Sequence, residues 1–361
     1  MAARVTRPAS GAASSSGGSD QRSLAEPHEV RNAERTLIKL LELCRRSVLP
    51  TELLPALDNL QTALTEAPCS RCLLGALSHD ELGVIFDGLA SPLEPVVAVA
   101  FSSTCKGLRT PLQLALEVLE GRHERAKALC RKIVIDNTQE LREAEVLDWS
   151  DYDLTSIDLA TLGMLLPKWL PKLADLNLSN NGIGDAGVQA LCEGLGHGAA
   201  PSLRLLCLSE DMERESITLG PAGAEALAAA LRRGAMPMLE ALYLNHNPIG
   251  KDGAAALAAP LRTLPNLDSL ILDECGICDE GVASLFKDLG KDEFKNLGRL
   301  WLDTNKITDK GCATITAAIC QGALPSLNDL TIVGNHDMNP EARKTLREVR
   351  LAQSKVNSDS I

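Results

Sequence analysis

Aromatic side chains are scarce in this chain: three Trp, two Tyr and four Phe, 2% of 361 residues. Any large core must therefore be aliphatic, and an aromatic ring that reaches the surface carries unusual weight as a binding anchor. No apolar run is long enough to cross a bilayer, and no hydrophobic signal-peptide core follows Met1. Positive charge is also short. With 36 Lys and Arg against 48 Asp and Glu, the formal charge is -12 and the pI about 5.1. That balance argues against nucleic acid or an anionic membrane as the main partner.

Catalytic and metal-binding patterns are missing too. His28, His79, His123, His197, His246 and His336 fall in unrelated segments, none at metal-ligand spacing. Cys69-Ser-Arg-Cys72 and Cys275-Gly-Ile-Cys278 have C-x-x-C spacing, but each lacks the second pair that a zinc site needs. Gly182-Ile-Gly184 is followed by no Lys-Ser/Thr and is not a phosphate cradle. No catalytic residue, metal or cofactor is expected. Eleven cysteines show no even framework, and Cys192, Cys207 and Cys312 occupy apolar repeat positions. A reducing compartment, cytoplasmic or nuclear, suits them.

What the chain does have is a repeat. Leu173-Ala-Asp-Leu176-Asn-Leu178-Ser-Asn-Asn181-Gly-Ile183 reads L-x-x-L-x-L-x-x-N-x-I. The string returns at Leu239, Leu242, Leu244, Asn247 and Ile249, and at Leu267, Leu270, Leu272, Cys275 and Ile277. It returns again at Leu297, Leu300, Leu302, Asn305 and Ile307, and closes at Leu327, Leu330, Ile332 and Asn335. Leu203, Leu206 and Leu208 belong to the series, but Leu208 to Leu219 is eleven residues where Leu178 to Ile183 is five. Leu176 and Leu178 share one face of a strand. That face meets a following helix, where Leu191 and Leu195 lie four apart. One such unit cannot bury its apolar side alone, so neighbours must stack. Ala144, Leu147, Trp149, Tyr152 and Leu154 form a degenerate first unit, with Leu162 and Leu166 on its helix. The asparagine amides are expected to satisfy backbone groups where each strand turns out of the sheet.

This pattern, from Arg142 to the C-terminus, resembles the ribonuclease-inhibitor class of leucine-rich repeats. The resemblance implies an α/β solenoid, a horseshoe of about seven parallel strands on the concave face with helices on the convex face. An α-helical module precedes it.

Residues 1–27 are read as a disordered tail, with an organellar transit peptide as the alternative for its Arg-bearing start. Residues 28–140 form the helical module, with a helical hairpin over 28–68 and a long helix from Leu112 to about Val134. The basic residues Arg122, His123, Arg125, Lys127, Arg131 and Lys132 of that helix are either an interaction face or a solvated one. Within the module, Leu77-Ser-His-Asp-Glu-Leu82-Gly-Val-Ile85-Phe86-Asp-Gly-Leu89 and the later Thr104-Cys-Lys-Gly-Leu108-Arg109 resemble an F-box over 73–112. Ser78 stands where that family usually has proline. The resemblance implies docking of a Skp1-like adaptor of a cullin-type ubiquitin ligase through Leu77, Leu82, Ile85, Phe86 and Leu89. The alternative is a plain helical cap. Residues 141–353 are the repeat domain, closed by a charged helix from Glu341 to about Arg350, and 354–361 are a tail.

The residue between the two leucines of L-x-L points out of the sheet. Across the repeats it is Asp148, Asn177, Cys207, Tyr243, Ile271, Trp301 and Thr331. Tyr243, Ile271 and Trp301 are expected to form an apolar stripe. The next outward position gives Ser150, Ser179, Ser209, Asn245, Asp273, Asp303 and Val333. Aromatic anchors beside acids have the composition of an interface centre. The candidate protein-binding set is Tyr243, Ile271, Trp301, Asn245, Asp273 and Asp303, joined by Glu210, Asp211 and Glu213 of the acidic insertion. The chain is accordingly expected to be a non-enzymatic interaction scaffold, with the substrate-recognition subunit of a ubiquitin ligase as its specific form. The alternative is a regulator of a small GTPase, because Ran GTPase-activating proteins share this repeat type.

Overall fold

The computed structural model describes Phe86, a few positions from 90 to 102, and residues 106–134, 138–210, 218–290 and 293–358. The chain divides into two compact units, residues 1–88 with 100–112, and residues 89–99 with 113–361. The helical hairpin expected over 28–68 and most of the F-box-like segment lie outside the described residues. The second unit carries the repeats.

Its sheet has seven parallel strands in chain order: β1 (Val146–Asp148), β2 (Asp175–Asn177), β3 (Leu205–Cys207), β4 (Ala241–Tyr243), β5 (Ser269–Ile271), β6 (Arg299–Trp301) and β7 (Asp329–Thr331). The middle residues stand opposite one another all the way across, from Leu147 through Leu176, Leu206, Leu242, Leu270 and Leu300 to Leu330. Each of these leucines before the last is buried. The degenerate first unit thus supplies a strand in register with β2.

Among the described residues two helices precede the sheet, α1 (Lys106–Lys132) and α2 (Thr138–Glu143). One helix follows each strand: α3 (Ser156–Trp169), α4 (Gly184–Glu193), α5 (Pro221–Arg232), α6 (Gly250–Arg262), α7 (Cys278–Phe286), α8 (Asp309–Cys320) and α9 (Pro340–Ser358). α1 begins six residues before the expected Leu112, through Pro111. α9 continues eight residues past Arg350, through the good helix formers Leu351, Ala352, Gln353 and Lys355. Thr155 and Asp158 form a reciprocal capping box at the start of α3. Lys132 at the end of α1 reaches Asp158 at 2.9 Å.

After β2, β4, β5, β6 and β7 the turn passes through a left-handed residue: Asn180 (φ 58°), His246 (61°), Glu274 (56°), Thr304 (55°) and Gly334 (74°). Four of the five are not glycine, and each of these four turns is held by an N–H to a carbonyl of the next repeat. Asn180 donates to Ser209 at 3.0 Å, His246 to Asp273 at 2.9 Å, Glu274 to Asp303 at 2.9 Å and Thr304 to Val333 at 2.8 Å. Gly334 needs its freedom for a second reason, since a Cβ there would sit 2.4 Å from Thr304 Oγ1.

The asparagine column does what the sequence pattern demands. Asn181 Oδ1 accepts N–H bonds from Tyr152 (3.1 Å) and Leu154 (3.0 Å) of the preceding unit. Its Nδ2 donates to Trp149 O (2.7 Å) and Leu178 O (2.8 Å). Asn305 and Asn335 repeat this arrangement toward Cys275 with Ile277, and toward Asn305 with Ile307. Asn247 accepts from Leu219. Where Cys275 replaces asparagine, its thiol still donates to Leu244 O, but sulfur offers no comparable acceptor. The N–H of Ile249 turns instead to Asn247 O of its own repeat at 2.7 Å.

Aspartates stitch the helix starts together. Asp185 Oδ1 accepts from Gly220 and Gly223, both at 2.7 Å, and Asp279 accepts from Thr308 and Gly311, both at 2.9 Å. Each carboxylate sits at the positive end of the next helix. At the opposite end, the Arg233 guanidinium caps carbonyls of Cys192 and Leu195, and Arg262 caps those of Ser284 and Leu285.

Candidate functional site

Because Leu242, Leu270 and Leu300 point into the core, Tyr243, Ile271 and Trp301 are forced onto the opposite, open face of the sheet. Adjacent strands place them roughly 5 Å apart. Trp301 is 36% exposed and Tyr243 is partly exposed. Ile271 differs from the expected stripe, since it is only 6% exposed. It lies on the strand between the two ring-bearing ones, and large neighbours at that spacing shade a smaller side chain. Ile271 therefore supports the rings and offers little surface of its own.

The Trp301 ring is held in place. Its Nε1 donates to Asp329 Oδ2 at 3.1 Å, and Arg299 Nε donates to the same oxygen at 3.2 Å. Arg299 and Asp329 were not among the expected site residues. They occupy a further outward column, two residues before Trp301 and Thr331, that alternation alone would have revealed.

The acids beside the rings are also tied down. Asp273 Oδ1 accepts the Asp303 N–H at 2.7 Å, and Asp303 Oδ1 accepts the Val333 N–H at 2.6 Å. Burial pushes the Asp273 carboxyl up to about 6, against the pull of the Asp303 N–H, and the Asp303 charge adds to the rise. His246 Nδ1 lies 3.6 Å from Glu274 Oε2, too long for a hydrogen bond. Asn245 Oδ1 accepts the Ser209 hydroxyl at 2.5 Å.

The N-terminal part of the same face is different. Asn177 Nδ2 donates to Asp148 Oδ1 at 2.9 Å, and Ser150 and Ser179 fold back onto Asp148 and Asn177. Those polar groups satisfy one another. The ring-and-acid cluster sits toward β4–β7.

Glu210 is not a contact residue of an acidic loop. It is 4% exposed, and its Oε1 accepts the Gly182 N–H at 3.0 Å. Like the column asparagines it reaches back to the preceding repeat, but through a different N–H, since they accept at the positions equivalent to Asn181 and Ile183. Asp211 and Glu213 lie outside the described residues, as do Leu77, Leu82, Ile85 and Leu89. Phe86 is described, and its ring is only 1% exposed. The basic run of α1 is partly engaged: His123 Nδ1 lies 2.6 Å from Pro92 O, and Lys132 bonds Asp153 O and Asp158.

Among the described residues no group of three or more His, Cys, Asp or Glu is placed to hold a metal, and no helix is long and apolar enough to cross a membrane. Cys192 is a free buried thiol whose pKa burial pushes up to about 12, with Arg233 opposing. Such a thiol is a packing group, not a nucleophile. A fixed Trp ring, a partly exposed Tyr and a set of acids on an open sheet form a surface suited to binding a large partner.

A family model described as "Leucine Rich repeat" matches residues 170–192 and 235–258. The fold is a leucine-rich repeat solenoid. Over 203 residues the chain is 32% identical to the ribonuclease inhibitor of Sus scrofa, covering 53% of this chain and 41% of that protein. Over 210 residues it is 31% identical to the ribonuclease inhibitor of Mus musculus, covering 55% of this chain and 42% of that protein. The matched stretch thus spans about two fifths of the length of these relatives.

Proposed function

We propose that this protein is a non-enzymatic binding module whose open sheet face holds a partner protein with a basic surface. The observation that carries the reading is the Trp301 ring, exposed and pinned by Asp329, with Asp273 and Asp303 on the neighbouring outward column. An exposed Trp in a chain so poor in aromatics is the strongest anchor available. The acids around it set a negative potential that steers a basic partner. The similarity to proteins named as inhibitors of ribonuclease, a binding task, supports the same conclusion. Free buried thiols favour a cytoplasmic or nuclear setting.

The test uses a ribonuclease of basic pI as the first probe and, if it does not bind, a partner captured from an extract. Trp301→Ala should weaken the complex at least tenfold and leave the melting temperature within a degree or two. A partner held equally well by the variant would move the site off this face.

The more specific reading, recognition subunit of a cullin-type ligase, rests on the F-box-like pattern at 77–109 alone. Direct binding of a Skp1-like adaptor to the full chain, abolished by Ile85→Asp, is its test. Failure of the intact protein to bind leaves that segment as a helical cap.

A further inference from the structure

We propose that the cleft between the outer edge of β7 and α9 is a second docking site, which takes an acidic peptide in extended form as an eighth strand of the sheet. It adjoins the β7 end of the open face, sharing Thr331 and Val333 with it, but uses none of that face's rings or acids.

Among the described residues β7 is the last strand, and its outer edge has no neighbour in the sheet. In the preceding repeats, Leu272 N–H donates to Trp301 O and Leu302 N–H to Thr331 O, both at 3.0 Å. Thr304 N–H then donates to Val333 O at 2.8 Å. The same positions in the last repeat are Ile332 and Gly334, and their N–H groups face the side where no strand lies. Among the described residues neither finds a partner. Unpaired edge groups are a template for an added strand.

Among the described residues the chain closes only the two ends of this edge. Arg350 donates to Asn328 O, the carbonyl that a following repeat would otherwise take, and Arg343 donates to Asn335 O. Between them lies a cleft of about 530 Å³, walled by residues 330–333 on one side and α9 on the other. Buried beside it, Thr331 Oγ1 and Arg343 Nε have no hydrogen-bond partner. A peptide backbone or carboxylate would supply one.

Charge selects the occupant. Arg343, Lys344, Arg347 and Arg350 line the cleft, and no acid does. Arg347 makes no hydrogen bond or ion pair among the described residues, and Lys344 has only exposed Glu341 at 3.8 Å. In a chain of net charge -12 this concentration of cations is local. It repels a second copy of the same edge, which would bring eight cations together, and favours carboxylates, which arginine binds in paired hydrogen bonds. Leu330 and Ile332 remain half-exposed for alternate apolar side chains of the peptide.

The experiment is fluorescence anisotropy of a labelled peptide of alternating Glu and Val on the full-length protein. Binding should weaken at least tenfold with Arg347→Glu, whose exposed side chain holds nothing in the fold, and fall with added salt. Trp301→Ala should not change it. Two further peptides carry N-methyl groups on the Glu amides or on the Val amides, and only one should lose binding, because alternate amides face β7. No binding at about 100 µM peptide, an unchanged affinity for Arg347→Glu, or equal binding of the two methylated peptides would each overturn the proposal. So would a protein dimer in sedimentation that the peptide cannot displace, which would give the edge to a second copy.

Discussion

Two columns of side chains run across the same repeats and follow opposite rules. The inward column is nearly uniform: Asn181, Asn247, Cys275, Asn305 and Asn335, all buried, each bonded to the repeat before it. The outward column changes at every step, from Asp148 and Asn177 through Cys207 to Tyr243, Ile271, Trp301 and Thr331. The first is constrained by backbone groups that recur in each turn, so asparagine recurs with them and only a side chain that still donates, Cys275, replaces it among the described residues. The second meets no repeating partner within the molecule. Its variation is free to match an outside surface, which is why a stack of near-identical units can carry a specific site.

Substitutions can break this contrast in either direction. The largest effect should come from the inward side, where Leu300→Ala removes a fully buried side chain between two strands. A loss of about 2–5 kcal/mol is expected in urea unfolding. A neutral melting curve would mean that the leucine register does not hold the sheet. Trp301→Ala, one residue away, should cost about 2 kcal/mol in partner affinity and almost nothing in stability. If it unfolds the protein, the two columns are not separable. Glu210→Ala should lower stability by about 1 kcal/mol by leaving the Gly182 N–H unpaired. That modest figure would show a stitch acting from outside the asparagine column.

The smallest effect concerns pH. With its carboxyl raised to about 6, Asp273 is largely neutral below that pH and ionised above it. Because the folded value exceeds the unfolded one, folding takes up a proton between about pH 4 and 6, and this group's contribution to stability falls as pH rises through that window. Association of a basic partner should run the other way and slow a few-fold as pH falls from 7 to 5. Asp273→Asn, which keeps an acceptor for the Asp303 N–H, should flatten that part of the profile in stopped-flow association.

The repeating half of this contrast was legible in the sequence, because leucines and asparagines recur at strand and turn positions whatever the partner. The degenerate first unit was legible for the same reason, as Leu147 opposite Leu176 shows. Three features were not. Glu210 sits in an acidic string and looks like loop surface, yet only its place beside Gly182 reveals its role. Asp185 and Asp279 resemble ordinary helix-start acids, but they cap the following helix, a contact that spans about thirty residues of chain. Ile271 fits the exposed stripe by period, and its burial depends on the size of its neighbours across the sheet.

The third repeat is longer than its neighbours, yet Leu206 stands opposite both Leu176 and Leu242 with no slip in register. Chain length between Leu208 and Leu219 is therefore uncoupled from the pitch of the stack. Closing a loop twice as long costs only about 0.6 kcal/mol. For protein engineering, the extra chain length between Leu208 and Leu219 makes that connection a splice point. A foreign binding loop or a small reporter domain could be inserted there while the strands on either side keep their step, much as a book keeps its spine when a page is folded out.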